Sequence, residues 1–426
     1  MEATTATPAR AAPRPSPTPP RLDEIRPQFP LLAREHHGEP LAYLDNGATS
    51  QKPLAVIEVL DRFWREQNAN VHRGVYRLSE EATALYERAR KTVAHHLGAD
   101  PSEVIFTRNV TGALNLVAHA WGRANVGAGD RIVLTEMEHH SNVVPWYLLA
   151  SEVGAELDWV PVKDDGRLDM DSLAAAIERG PKLVAVAHVS NVLGTVNPVP
   201  EITRLAREAG ALSVVDGAQA APKLKLDMAE LGADFYGFTG HKLYGPTGVG
   251  VLYGRRDLLE AMGPFEGGGS MIRKVTKERI TWASVPTRFE AGTPPIAEAI
   301  GLAAAIDWVD ELGLGAIHGH EQQLTAYALE RLAEVPDLRT FGPPATEDRV
   351  GIISFELKGV HAHDVSEVLD RHAVCVRAGH HCAQVLMDRL GVPATTRASF
   401  AVYNTREEVD RLVEALHDVR RVFELD

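Results

Sequence analysis

The hydrophobic and polar positions follow two different periods along the chain from residue 41 onward. Short runs rich in Val, Ile, Leu and Phe predict buried β-strands, which fall at 103–107, 131–135, 183–189, 212–216, 235–238 and 249–253. Longer segments between them carry apolar residues at helical spacing and end at a glycine, as in 79–97 and 199–209. This alternation predicts an α/β fold whose large domain has a mainly parallel central sheet covered by helices.

The pattern changes after Pro295. The following segments predict long helices at 296–312, 318–334 and 406–424 and strands at 351–355 and 373–377. Such a mixture is typical of a second, smaller α+β domain.

These patterns predict four parts of the chain. Residues 1–20 consist mostly of Ala, Thr and Pro, so they bury too little apolar surface to fold and are expected to form a disordered tail. Residues 21–40 are expected to pack with the small domain, residues 41–295 to form the large domain, and residues 296–426 to form the small C-terminal domain. A transit peptide is the alternative for the tail, but Glu2 and the many prolines argue against it.

The composition excludes several classes of protein. The chain has 426 residues, of which 45% are hydrophobic and 24% charged, as in ordinary globular proteins. Its net charge of −14 and the lack of a Lys/Arg cluster argue against nucleic-acid binding. Apolar runs such as 183–189 are far shorter than the roughly 20 residues that a membrane span requires. Two cysteines cannot form a disulfide framework, so a cytoplasmic location is expected.

Polar residues follow five of the predicted strands directly. In open parallel sheets ligands bind at the carboxyl ends of the strands, so these residues are expected to share one site. They are Arg108, Asn109 and Thr111 after the first strand, MEHHSN (137–142) after the second, Ser190 and Asn191 after the third, Asp216 and Gln219 after the fourth, and TGHK (239–242) after the fifth.

Lys242 and Asp216 together point to a pyridoxal phosphate site. A lysine at a strand end near the core is costly unless it is paired or has reacted, and condensation with an aldehyde removes its charge. The same cofactor requires a carboxylate against its pyridinium nitrogen, which Asp216 can supply. Thr111 and Gly112 open a helical run at 112–121 and suit a phosphate group. A surface lysine is the alternative interpretation of Lys242, and an ordinary helix cap that of Thr111.

Histidines near this site allow three interpretations. His139 could lie flat on an aromatic cofactor ring, or it could be an ordinary hydrogen-bonded loop residue. Zinc binding is another interpretation, since His139/His140 and His380/His381/Cys382 contain atoms that can coordinate the ion. Adjacent residues seldom chelate one ion together, and the chain has no C-x-x-C or H-x-x-x-H spacing there, so no metal is predicted.

Eight motifs in order carry a resemblance to a known family. They are YLDNGATSQKP, NVHRGVYRLS, MEHHSNVVPW, HVSNVLGT, DGAQA, GHKLYGPTG, FEAGTP and RAGHHCA. Over residues 25 to 425 the chain resembles the group II (Suf-type) cysteine desulfurases of the class V aminotransferase superfamily. The resemblance implies the fold-type I architecture of pyridoxal 5'-phosphate enzymes and a homodimer that mobilises sulfur for iron–sulfur cluster assembly.

The resemblance also implies a role for individual residues. Lys242 would be the Schiff-base lysine that moves the Cα proton of the substrate. Asp216 would hold the pyridine nitrogen, Gln219 the phenolic oxygen, and His139 would stack on the ring. The remaining assignments are Thr111, Gly112, Thr239 and His241 for the phosphate, Thr293 reaching it from the other subunit, Asn191 beside the substrate and cofactor, and Arg397, Arg377 and Arg73 for the substrate carboxylate.

Cys382 would then be the nucleophile. Its thiolate would attack the sulfur of L-cysteine, leaving a persulfide on Cys382 and releasing alanine, and the neighbouring histidines and Arg377 would supply a positive field that favours the thiolate. Cys375 lies in the apolar run AVCV and is expected to be a packing residue. The persulfide sulfur would pass to a Suf acceptor protein, to whose binding the HAHD segment (361–364) could contribute.

Three positions depart from the family pattern. Val110 and Gly112 replace a small or hydroxyl residue and an acidic residue, which removes a side-chain hydrogen bond expected near the phosphate. Val385 replaces a proline after the nucleophile, which could loosen its loop. Selenocysteine lyase activity, a cofactor-free sulfur carrier and a zinc-dependent or cysteine hydrolase remain as alternative functions.

Overall fold

The computed structural model describes residues 22–344 and 346–425 of the chain. The predicted tail at 1–20 lies outside the described residues. Seventeen strands, fifteen α-helices and nine short 3₁₀ or π segments are present in this part of the chain.

The strands are β1 (Glu35–His36), β2 (Glu39–Pro40), β3 (Ala42–Tyr43), β4 (Val104–Thr107), β5 (Arg131–Thr135), β6 (Glu156–Val160), β7 (Leu183–Ala187), β8 (Leu212–Asp216), β9 (Phe235–Thr239), β10 (Gly250–Gly254), β11 (Ile272–Val275), β12 (Ile280–Trp282), β13 (Leu338–Phe341), β14 (Ile352–Leu357), β15 (Val374–Cys375), β16 (Arg377–Gly379) and β17 (Thr395–Ser399).

The helices are α1 (Leu22–Ile25), α2 (Leu54–Arg62), α3 (Arg77–Leu97), α4 (Val110–Val117), α5 (Arg123–Asn125), α6 (Val144–Val153), α7 (Met170–Glu178), α8 (Val199–Glu208), α9 (Met228–Leu231), α10 (Arg256–Ala261), α11 (Ile296–Leu312), α12 (Leu314–Leu332), α13 (Ala362–Arg371), α14 (Gln384–Leu390) and α15 (Arg406–Val422).

A seven-stranded sheet forms the centre of the fold, with the strand order β4-β10-β9-β8-β7-β5-β6. The strands from β9 to β6 are parallel, and β10 alone runs antiparallel to both of its neighbours. The mainly parallel sheet predicted from the sequence is therefore confirmed. The apolar pattern does not reveal β6, because this edge strand has the sequence ELDWV and only Val160 is fully buried.

Helices cover both faces of this sheet and bury two apolar cores. One core includes Val186, Tyr236 and Phe238, and the other includes Leu134, Val214 and Trp146. Side chains alternate between the two faces of a strand, so fully buried strands such as β7 (LVAVA) supply apolar residues to both cores. None of the described helices combines the length and apolar character that crossing a bilayer requires.

A four-stranded antiparallel sheet, β13-β14-β17-β16, lies in the C-terminal part of the chain. Helices α12, α13 and α15 share a core with it, which includes Leu324, Val368 and Val413. The strand β17 has the sequence TTRAS, and all five residues are buried although none is a large apolar residue. The predicted strand at 373–377 is divided, because β15 pairs with β3 whereas β16 pairs with β17.

The predicted division into domains at residue 295 stays a prediction. The buried residues of α11, such as Ile306, belong to the same core as Val56 of α2 and Val93 of α3. Leu44, in contrast, belongs to the core of the C-terminal sheet. We therefore propose that the boundary between the domains lies after the end of α11. We also propose that the residues around β3 belong to the small domain.

The segment before β3 contacts both parts of the protein. The Phe29 ring packs against Tyr244 and Trp308 and also against Tyr403 of the C-terminal region. Arg26 forms an ion pair with Glu408 at 2.9 Å. The predicted packing of 21–40 with the small domain stays a prediction, and the described part of this segment also packs on the large sheet's helices.

Candidate active site

A cavity of about 610 Å³ lies at the carboxyl ends of the parallel strands. Most of the residues predicted to form the site line it together, although they come from segments as far apart in the chain as residues 111 and 397. They are Thr111, His139, Asn191, Asp216, Gln219, Thr239, His241, Lys242, Arg377, Cys382 and Arg397.

Three predicted residues do not line this cavity. Gly112 and Thr293 line a separate cavity of about 240 Å³, on the other side of the start of α4. Arg73 is exposed and lies in neither cavity. A single chain thus does not bring these three residues to the shared site.

Lys242 and Asp216 are placed by two neighbouring strands. Asp216 is the last residue of β8, and Lys242 lies in the short 3₁₀ turn that follows β9, the parallel neighbour of β8. Burial lowers the pKa of Lys242 to about 8, an effect that the negative charge of Asp216 partly offsets. Burial raises the pKa of Asp216, while a hydrogen bond from the Ala218 N–H and the Lys242 ammonium act in the opposite direction.

Gly217 allows the chain to pass close to the Tyr236 ring at the end of β8. A Cβ atom at this position would lie 2.1 Å from the nearest ring atom of Tyr236, which is fully buried. Tyr236 in turn forms a hydrogen bond of 2.9 Å with the His188 ring. Because Gly217 has no side chain, the backbone can lie directly against the buried Tyr236 ring while Asp216 lines the cavity.

His139 carries a neutral ring into the same cavity. Burial, followed by the charge of Lys242, lowers its pKa to about 3, and its Nδ1 accepts a hydrogen bond from the Ser141 N–H at 3.0 Å. Glu138 fixes this segment, since its buried carboxyl group accepts hydrogen bonds from Asn142 and from the Ala187 N–H. A neutral planar ring suits stacking on an aromatic cofactor.

The side of the cavity near α4 has polar groups that suit a phosphate. Asn109 caps the helix by accepting the Gly112 N–H at 2.9 Å, and the Thr111 and Ser141 hydroxyl groups lie 2.7 Å apart. The Thr239 hydroxyl is buried and has no hydrogen-bond partner among the described residues. A buried hydroxyl without a partner is unfavourable, so the Thr239 hydroxyl is a suitable donor to a bound phosphate.

Two arginines converge on one carboxylate at the opposite side. Arg377 of β16 and Arg397 of β17 are cross-strand partners, which places both guanidinium groups on the same face of the small sheet. Arg377 donates to Asp45 at 2.8 Å, and Arg397 lies 3.4 Å from the same carboxylate. Arg397 is buried, its Nε has no partner among the described residues, and burial lowers its pKa to about 10.

Cys382 lies in a loop with an unusual backbone. His381 and Cys382 both have positive φ angles, of 52° and 56°, which are uncommon for residues other than glycine. Two hydrogen bonds hold this loop: the His140 N–H donates to the Cys382 carbonyl at 2.7 Å, and the Asn191 amide donates to the His381 carbonyl at 2.7 Å. The Cys382 side chain is exposed and free, next to the cavity.

The predicted positive field around Cys382 needs a correction at His381. Burial lowers the pKa of His381 to about 3, so this ring is neutral at physiological pH. Its Nε2 lies 2.9 Å from the Thr395 hydroxyl, which gives it a positioning role. Of the predicted sources of positive charge, Arg377 remains a permanent cation beside the cavity.

Two predicted cofactor ligands have other partners. The Gln219 amide donates to the Gly47 carbonyl at 2.7 Å, and the Asn191 amide donates to the nucleophile loop. Both side chains still line the cavity, so their remaining polar atoms could contact a ligand.

A group of donors that the sequence pattern does not predict lies next to Lys242. The His241 carbonyl accepts hydrogen bonds from the side chains of Thr49 (3.0 Å), Ser50 (3.2 Å) and Lys52 (2.8 Å). Burial lowers the pKa of Lys52 to about 7, and Lys52 forms no ion pair among the described residues. These contacts fix the peptide bond that carries Lys242. In the sequence, the only indication of these three donors was that they belong to the motif YLDNGATSQKP.

The fold and the site together define a pyridoxal phosphate-dependent enzyme. Its mainly parallel sheet presents a partly buried lysine, a buried aspartate and a neutral histidine to one cavity, with polar groups for a phosphate at a helix start. Residues 42–412 match the family described as aminotransferase class-V.

Similarity to curated relatives assigns the chain to one group within this family. The chain is 49% identical to a cysteine desulfurase of Haloferax volcanii, over 94% of this chain and 97% of the relative. A probable cysteine desulfurase of Streptomyces coelicolor is 53% identical, over 94% of this chain and 97% of the relative. The chain therefore belongs to the class-V aminotransferase family and, within it, to the cysteine desulfurases.

One similar solved structure is a cysteine desulfurase, and another contains the PLP cofactor. The apo cysteine desulfurase of Thermococcus onnurineus superimposes with a TM-score of 0.90 at 41% identity, covering 96% of this chain and all of that one. A C-DES mutant with glycine covalently linked to its PLP cofactor has a TM-score of 0.79 at 25% identity, over 92% of this chain and 99% of that one.

Proposed function

We propose that this enzyme converts L-cysteine to L-alanine and keeps the sulfur as a persulfide on Cys382. The observation that carries the proposal is the presence of Lys242, Asp216 and Cys382 on the walls of one cavity. When bound, pyridoxal phosphate supplies an electron sink for the substrate carbons. The protein supplies the groups that bind, orient and move protons around it.

Lys242 would hold the cofactor covalently and then act as the base for the Cα proton. Its pKa of about 8 leaves a larger neutral fraction near pH 7 than an exposed lysine has, and only a neutral amine can condense or accept a proton. Asp216 would hold the ring nitrogen, and its charge is favoured once that nitrogen carries a proton. His139 would cover the ring face, and Thr111, Thr239 and His241 would hold the phosphate.

Arg397 would bind the carboxylate of the substrate. Its guanidinium is buried and has an unsatisfied Nε, and its contact with the Asp45 carboxylate is long, at 3.4 Å, so capacity for a second carboxylate remains. Arg377, which is more exposed, would assist at the mouth of the cavity. Asn191 connects this end to the nucleophile loop, because its carbonyl accepts from Arg397 while its amide donates to His381.

Cys382 would carry out the sulfur transfer. Its thiolate attacks the substrate sulfur, a sulfur–sulfur bond forms, and the carbon–sulfur bond breaks with its electron pair going to the carbon fragment. That fragment takes up a proton and leaves as alanine. The two positive φ angles turn Cys382 out of the loop, which keeps the thiol accessible from the cavity and from solvent.

Mass spectrometry tests the location of the persulfide. After the loaded enzyme reacts with cysteine, we expect one added sulfur on the peptide that contains Cys382, and none on Cys375, because Cys375 does not line the cavity. Alkylation before digestion keeps the two cysteines distinguishable. Sulfur found mainly on Cys375, or alanine formation without any protein-bound sulfur, would contradict the proposed step.

We also propose a homodimer in which Thr293 acts on the partner's site. Thr293 is exposed and does not reach the cavity of its own chain, although it lies beside Gly112 at the start of α4. Several large apolar side chains are exposed, and some of them lie close to Arg73 in the sequence. Such exposure is expected of a surface that a second copy of the chain covers. The exposed residues are Trp64, Val75, Tyr76, Tyr147, Leu148 and Trp282.

Mixing two inactive variants tests this dimer. Thr293→Tyr would damage the site of the partner, whereas Lys242→Ala damages the site of its own chain. A heterodimer of the two has one site with both defects and one intact site, so subunit exchange should restore about a quarter of the wild-type activity. Differently tagged chains verify that heterodimers form. Heterodimers without restored activity would show that Thr293 acts within its own chain, and a fully active Thr293→Tyr homodimer would show that Thr293 has no role.

Transfer of the sulfur to a Suf-type acceptor for iron–sulfur cluster assembly completes the proposal. His363 lies on a surface groove that also contains Asp45 and Arg377, so an acceptor bound there would be near the cavity mouth. Enzyme that has reacted with ³⁵S-labelled cysteine and is then incubated with a candidate acceptor measures this step. Unchanged transfer by a His363→Ala variant would exclude the groove as the docking site.

A further inference from the structure

We propose that His36, His37 and Asp370 form a surface site for a divalent transition metal of the Zn²⁺, Ni²⁺ or Cu²⁺ class. The three residues lie outside the catalytic cavity, and none of them has a role in the desulfurase reaction proposed above. The site is thus independent of the active-site assignment.

The β1–β2 hairpin places two adjacent histidines on the same side. Neighbouring residues of an extended strand point to opposite faces, which is why adjacent histidines seldom bind one ion. Here the two residues between the strands, His37 and Gly38, both have positive φ angles, of 51° and 81°, as in a type I′ turn. The turn reverses the direction of the His37 side chain, and the centroids of the His36 and His37 rings lie 4.1 Å apart.

Asp370 provides the third ligand from a distant part of the sequence. It lies near the end of α13, and its two carboxylate oxygens are 3.1 Å from the His36 Nε2 and 3.2 Å from the His37 Nε2. The three ligand atoms all lie within 4.8 Å of one another. A tetrahedral zinc ion with ligands at about 2.0–2.2 Å needs them about 3.4 Å apart, so a small adjustment of side chains is sufficient.

The donor set selects the class of metal. Two imidazole nitrogens and one carboxylate suit zinc, nickel and copper, whereas calcium and magnesium prefer oxygen ligands alone. About half of each side chain is exposed, at 45%, 48% and 53%, so an ion can enter and water can complete its coordination. Among the described residues, this is the one group of three His, Cys, Asp or Glu side chains with such spacing.

A bound ion would link the N-terminal hairpin to the small domain. The two parts are 334 residues apart in sequence, and two histidine–carboxylate contacts join the ring pair to α13. A ligand that binds the folded state alone stabilises it by mass action, so the metal should raise the melting temperature.

Zinc binding to the cofactor-loaded enzyme tests the site. The experiment uses Cys382→Ala protein, treated with EDTA and then dialysed, so that the exposed thiol does not bind zinc. Calorimetry should show one site that the double variant His36→Gln/His37→Gln lacks and that Asp370→Asn weakens at least about tenfold. His95→Gln, which removes an exposed histidine outside the cluster, is the matched control and should bind zinc as the parent does.

Two further readouts separate a specific site from scattered surface binding. Cu²⁺ bound to the parent should show hyperfine coupling to two nitrogens in electron paramagnetic resonance, and the double variant should lose this signal. Zinc should raise the melting temperature of the parent and of His95→Gln, but not that of the double variant. Zinc binding of equal stoichiometry and affinity in the parent and the double variant would overturn the proposal.

Discussion

Replacing Lys242 by alanine is expected to reduce desulfuration by more than about 10³-fold. The variant loses the amine that binds the cofactor covalently and the base for the Cα proton, and general acid–base catalysis alone contributes about 10²–10⁴-fold. In the parent, the covalently bound cofactor gives a yellow Schiff-base absorbance that borohydride reduction abolishes. This absorbance should be missing from Lys242→Ala. Alanine release and absorbance spectra measure the two effects.

A stability measurement separates lost chemistry from lost folding. Burial lowers the pKa of Lys242 from 10.5 in the unfolded chain to about 8, so the folded state binds fewer protons between these values and its stability rises with pH there. Below pH 8 the charged lysine therefore costs about 3 kcal/mol of folding free energy. Lys242→Met, which keeps most of the volume, should make the cofactor-free protein more stable to urea at pH 7.

The Lys242 variants also distinguish the enzyme from a cofactor-free sulfur carrier. A carrier that uses only Cys382 would be colourless, would not take up pyridoxal phosphate, and would be unaffected by Lys242→Ala. Full desulfurase activity in a correctly folded Lys242→Ala variant would contradict the role assigned to this residue.

Replacing Cys382 by alanine is the second change with a large expected effect. Turnover of cysteine should fall by at least about 10³-fold, since loss of a nucleophile in other enzymes has effects of this size or larger. The cofactor absorbance should remain, because the exposed Cys382 thiol belongs to a loop that His140 and Asn191 hold through backbone carbonyls. Cys375→Ala is the matched control and should keep normal activity.

The same variant addresses the alternative activity on selenocysteine. A carbon–selenium bond breaks more easily than a carbon–sulfur bond, so selenocysteine turnover could proceed without a protein nucleophile. We expect Cys382→Ala to lose activity with cysteine and to retain a larger fraction with selenocysteine. Persistent cysteine desulfuration in this variant would exclude the persulfide mechanism.

The sequence determined the fold class and most of the site. Buried parallel strands are apolar along their whole length, and the polar residues that follow them meet at one edge of the sheet, so Asp216 and Lys242 could be placed together from the sequence. Motifs of several residues then identified the family. Strands without this apolar pattern, such as β6 at the sheet edge and the polar β17, were missed.

Only the tertiary structure decided the charge states and the contacts between distant segments. His381 has the same side chain as His380, but its burial makes it neutral, and burial depends on residues far away in the chain. Lys52 donates to the His241 carbonyl, which is 189 residues away in the sequence. His36 contacts Asp370, which is 334 residues away. Sequence periodicity reports on neighbouring residues, whereas desolvation and long-range pairing arise only once the chain has folded.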